Sequence, residues 1–91
     1  MKHFEDIWNE AEAVASKFPE QTQLAELTQQ IKAEIDKLPT VTTLEEQAEI
    51  IGAVLFSICD ITRQLNMNSA AALQNSIDAK KSELLDPDIG D

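Results

Sequence analysis

Residues 50–61, read Ile-Ile-Gly-Ala-Val-Leu-Phe-Ser-Ile-Cys-Asp-Ile, are apolar on almost every side of the helix that their spacing predicts. Leu44, Ala48, Ile51, Leu55, Ile58 and Leu65 recur three and four apart as one face, and Ile50, Val54 and Ile61 add a second. A helix that is apolar all round has to be covered on all sides. It begins at a capping box, Thr43-Leu-Glu-Glu46, in which the threonine hydroxyl takes an orphan amide and the glutamate reaches back; Thr42 with Glu45 offers the alternative frame. In a chain of 91 residues only three other helices are available to cover it. Self-association is therefore expected, as a dimer or a tetramer, with Ile51, Val54, Leu55, Ile58 and Ile61 as the contact residues.

The other helices follow from the same periodicity. The first is expected over residues 4–18, with Phe4, Ile7, Trp8, Ala11, Val14, Ala15 and Phe18 as its stripe, and Pro19 ends it. A second is expected over 22–38, with Leu24, Leu27, Ile31, Ile35 and Leu38 aligned and Pro39 as its stop. Residues 66–69 read as a turn with Asn68 or Ser69 as N-cap, followed by a fourth helix to about Leu85 with Ala72, Leu73, Ile77 and Leu84 facing inward. Two glycines and three prolines are too few for the turns of a β-rich chain. The expected fold is all-α: one four-helix bundle over residues 1–85, self-associating through its long third helix, with 86–91 as a disordered acidic tail.

Seventeen acidic residues against seven basic ones give a formal charge of −10. That charge argues against direct nucleic-acid binding, which needs clustered Lys and Arg, and against anionic membrane surfaces. It suits solubility, and a basic protein face as partner; imitation of a phosphate backbone is the sharper version. Residues 50–61 fall short of the roughly 20 apolar residues of a membrane span, and the N-terminal segment lacks the apolar run of a signal peptide. A cytoplasmic setting without membrane contact is the expectation. With one histidine (His3, near a terminus) and one cysteine (Cys59, in the apolar run), His/Cys metal clusters and nucleophilic triads find no material. Carboxylate chemistry is what remains, since Glu and Asp on facing helices hold hard cations such as Mg²⁺.

Between Thr43 and Lys81 the sequence resembles a family. Leu44-Glu45-Glu46, Gly52, Leu55-Phe56, Leu65-Asn-Met-Asn68 and Ala72-Leu73 match the second half of the MazG-like nucleoside triphosphate pyrophosphohydrolases. There a helix of the type EELxxELGDxLF is followed by a turn resembling LGID and a helix of the type EEALRRANxKF. The segment from Leu27 to Asp36 would take the place of that family's glutamate-rich helix, so that the likeness covers roughly residues 24–81.

The resemblance implies a fold and, at the same time, a loss. The family holds Mg²⁺ through paired carboxylates on adjacent helices, and the ions bridge the triphosphate and activate a water. Carried onto this chain, the E-E-x-x-E motif falls on Gln29, Gln30 and Ala33, and the E-x-x-D motif on Ile50 and Ala53. The later Asn and Lys fall on Ile77 and Ala79. None of these side chains is acidic, so no metal or other cofactor is expected. The implied protein is a non-catalytic relative that acts by oligomerisation and protein binding. The alternative is a divergent Mg²⁺-dependent pyrophosphohydrolase recruiting Glu34, Glu45, Glu46 or Glu49 by a shifted register.

Overall fold

The computed structural model describes residues 2–85, so the expectation of a disordered tail at 86–91 lies outside the described residues. The order is α1 (Phe4–Ser16), α2 (Leu24–Lys37), a 3₁₀ turn (Leu38–Thr40), α3 (Leu44–Gln64) and α4 (Ser69–Leu85), with no strand among the described residues. The chain is all-α.

Local chemistry sets the boundaries. Helix α1 stops at Ser16, two residues before the expected end, and a turn carries the chain through Pro19. Pro39 sits inside the 3₁₀ turn that finishes α2, where its missing N–H removes no helical hydrogen bond. At the start of α3 the Thr43 hydroxyl accepts from the Glu46 amide at 3.1 Å and donates to the Glu46 carboxylate at 2.8 Å. The capping residues are the expected pair, although the glutamate bonds the hydroxyl itself.

The end of α3 is equally specified. Asn66 has φ 54°, a left-handed conformation that asparagine tolerates better than most side chains. The Met67 amide bonds the Thr62 carbonyl at 2.9 Å and the Asn66 amide bonds the Arg63 carbonyl at 3.1 Å. These two bonds form a Schellman closure with Asn66 in the position glycine usually takes. Asn68 then caps α4, its Oδ1 accepting from the Ala71 amide at 3.0 Å. A helix stop and a helix start within four residues turn the chain by 112° between α3 and α4.

The packing centres on α3, with α2 and α1 laid against it. In its N-terminal half the buried residues are Ile50 and Val54; in its C-terminal half they are Cys59 and Thr62. At 3.6 residues per turn, Cys59 lies about 140° around the helix from Val54, and every residue from Ser57 to Gln64 is buried or half-buried, so the C-terminal half is covered over a much wider arc. Ala15 from α1 and Leu27 from α2 complete the buried set.

The chain forms the expected all-α helical bundle, but its fourth helix is not packed into the core. Ala72, Leu73, Ile77 and Leu84 do not face inward; α4 buries no residue, and Leu73 is 59 % and Leu84 81 % exposed. The reason is the capped 112° turn, which points α4 away from the surfaces it was expected to cover. The molecule is correspondingly open. Its radius of gyration is 16.1 Å, against about 12 Å for a compact chain of this length. Its accessible surface is 7178 Å², roughly a third more than the ~5,300 Å² of a compact monomer of equal mass.

Candidate functional site

The positions that would correspond to a metal centre are not brought together: Gln29 and Gln30 border a shallow hollow on α2 with Ala25 and Glu26, and neither Ile50 nor Ala53 lines it. Gln29, Gln30 and Ala33 are exposed on α2. Ile50 and Ala53 part company: Ile50 is 7 % exposed, while Ala53 faces solvent. Ile77 and Ala79 lie on exposed α4. Glu34, offered by a shifted register, pairs with Lys37 at 2.9 Å, and Glu45, Glu46 and Glu49 stand in water at the start of α3. There Glu45 and Glu46 complement the positive end of the helix dipole. Among the described residues no three of His, Cys, Asp and Glu come together as a metal-binding group.

One hollow, about 190 Å³ in volume, opens where the α1–α2 connection crosses α3. Phe18, Gln21, Leu27, Gln30, Phe56 and Asp60 are among the residues around it. Its inner carboxylate is already engaged: Asp60 pairs with Arg63 at 2.7 Å and accepts from Gln64 at 3.3 Å. Arg63 also bonds Gln21, and Gln64 donates to the Thr22 carbonyl at 2.7 Å. This network ties the connection to α3 and leaves the hollow without a free charge from Asp60.

Cys59 is 2 % exposed, as a small apolar residue of the core should be. Burial, reinforced by the nearby Glu12 carboxylate, pushes its thiol up to about 11. A thiol that stays protonated at neutral pH is a poor nucleophile.

The more informative surface is the open side of α3. Of the five residues expected at an interface, Ile51 and Leu55 are 42 % and 38 % exposed, Ile58 and Ile61 are half-buried, and Val54 is spent inside the chain at 8 %. Around Ile51 and Leu55 stand exposed Leu44, Ala48, Gly52 and Phe56. A Cβ placed on Gly52 would meet nothing within 4 Å, so no packing inside the chain calls for glycine there. A mid-helix glycine costs about 1 kcal/mol relative to alanine. Sequence periodicity found this face through Ile51 and Leu55; Phe56, exposed at its edge, also borders the hollow beside the α1–α2 connection. Periodicity found Leu73, Ile77 and Leu84 on α4 as well, but as an inward stripe, whereas all three are exposed.

Comparison with family models, with curated proteins and with solved structures finds no match.

Proposed function

We propose that this chain is a non-catalytic helical protein with a MazG-like arrangement, which acts by associating with copies of itself and binding another protein. The observation that carries this reading is the unfinished core. Among the described residues only Ala15, Leu27, Ile50, Val54 and Cys59 are buried apolar residues, whereas sixteen large apolar side chains are exposed. Leu44, Ile51 and Leu55 share one open face of α3, and monomeric soluble proteins rarely leave large contiguous apolar patches in water. The surplus surface, about 1,900 Å² per chain relative to a compact monomer, exceeds the ~800 Å² that each partner of a standard interface buries.

Substitution of carboxylates supports the non-catalytic part. Gln29, Gln30, Ala33, Ile50 and Ala53 supply no negative charge to balance Mg²⁺ and a triphosphate. Ile50 instead contributes to the core. The exposed acids are spread over all four helices, with Glu5 and Glu10 on α1, Glu26 and Asp36 on α2, Glu45 and Glu49 on α3, and Asp78 and Glu83 on α4. That distribution suits a diffuse attraction to a basic protein face better than one charge-lined groove. No single helix among the described residues is long and apolar enough to cross a membrane. A cytoplasmic setting is part of the proposal.

Sedimentation equilibrium over a hundredfold range of concentration tests the central claim. The expected mass is a multiple of 10.1 kDa. A monomer throughout the range would overturn it.

A further inference from the structure

We propose that α4 of one copy lies antiparallel along the open face of α3 of a second copy, an exchange of arms that completes both cores. The inference rests on the self-association proposed above and specifies its geometry.

Three observations lead to it. The first is spacing. On α3 the exposed positions Leu44, Ala48, Ile51 and Leu55 are separated by four, three and four residues. On α4 Leu73, Ile77, Lys80 and Leu84 repeat the same intervals and are all exposed. Four-three-four is the seam of helices that pack side by side, and each stripe spans about 16 Å at 1.5 Å per residue.

The second is reach. The capped turn at Asn66–Asn68 sends α4 off at 112°, so α4 does not lie on its own α3. A 17-residue helix without tertiary contacts is marginal in water, and α4 has no buried residue to hold it. The open stripe of a second copy supplies the missing contact.

The third is charge, and it sets the direction. Lys80 is the one charged residue in the α4 stripe, its side chain 77 % exposed and paired only loosely with the exposed Glu83 at 3.6 Å. In the antiparallel register Leu84 meets Leu44, Lys80 meets Ala48, Ile77 meets Ile51 and Leu73 meets Leu55. Lys80 then projects over the small Ala48, flanked within a turn by Glu45 and Glu49. The parallel register would set the ammonium on Ile51 instead. Two α3 helices facing each other would leave the α4 stripe bare.

Cysteine cross-linking tests this in the full chain. Copies carrying Ile51→Cys are mixed with copies carrying Ile77→Cys, oxidised, and digested for mass spectrometry; both positions are exposed, and circular dichroism checks that helicity is kept. The expected product is the mixed disulfide between positions 51 and 77, formed in excess over either homodisulfide. A product dominated by the 51–51 disulfide would overturn the exchange while leaving self-association standing. A monomer in sedimentation would remove the underlying reading as well. As a second measurement, Lys80→Glu should weaken the association several-fold, and adding Glu45→Lys and Glu49→Lys should restore it. No recovery in the triple variant would overturn the antiparallel register.

Discussion

The Thr62 hydroxyl lies 2.7 Å from the Glu12 carboxylate, linking α1 to α3 across fifty positions of sequence. The same oxygen is 2.9 Å from the Cys59 carbonyl, and its single proton can serve only one acceptor at a time. The carboxylate, being charged, is the stronger. Thr62 is 7 % exposed and Glu12 is half-buried, so losing the hydroxyl strands a carboxylate in a poorly hydrated place. Thr62→Val is expected to cost about 1–3 kcal/mol, and Thr62→Ser much less. Thermal unfolding checks this, each kcal/mol lowering Tm by roughly 4–8 °C in a domain of this size.

Cys59 gives the chain a stability that depends on alkaline pH. The native thiol is raised from an ordinary 9.0 to about 11, so folding favours the protonated form. The sign follows from linkage: the contribution is complete below pH 9 and is lost as pH rises from about 9 to about 11. Urea unfolding at pH 8 and pH 10.5 should show a lower midpoint at the higher pH, and Cys59→Ala should reduce the difference. At pH 8 a thiol reagent should label the native protein far more slowly than the denatured one.

The helices were legible in the sequence because each carries its own punctuation. Thr43 and Glu46 start α3, Pro19 and Pro39 mark the ends of α1 and α2, and Asn68 starts α4. Periodicity also separated the two faces of α3, but it could not say which face the chain would cover. Ile50 and Val54, the smaller set, became the core of its N-terminal half, and Ile51 and Leu55 were left outside. The inward face assigned to α4 failed for a related reason. Leu73, Ile77 and Leu84 are as regular as a core stripe, and what decides their fate is the bend at Asn66, a single left-handed residue.

That bend can be tested directly. Asn66 has φ 54°, which glycine adopts freely and a β-branched residue does not. Asn66→Gly is expected to be neutral within about 0.5 kcal/mol, whereas Asn66→Val should cost about 1–2 kcal/mol. Hydrogen exchange locates the effect: Asn66→Val should accelerate exchange of the Asn66 and Met67 amides that close α3.

Ile50 and Ala53 offer the sharpest contrast between a core position and a surface one. Under the proposed MazG-like reading both would stand where that family carries acids, yet Ile50 is buried and Ala53 is open to solvent. Ala53→Asp adds a solvated charge and should change stability by about 0.5 kcal/mol or less. Ile50→Glu inserts an unpaired carboxylate into the core and deletes an aliphatic side chain, and should cost about 3 kcal/mol or more. Below neutral pH the Glu variant should recover part of that loss, because burial favours its protonated form. Chemical denaturation of the two variants at pH 5 and pH 7 checks both statements. In the unaltered chain, Mg²⁺ should leave the unfolding midpoint in place, and nucleoside triphosphates should yield no pyrophosphate above background. Steady turnover that stops on chelation would restore the hydrolase alternative, with the acids at Glu45, Glu46 and Glu49 as the first to mutate.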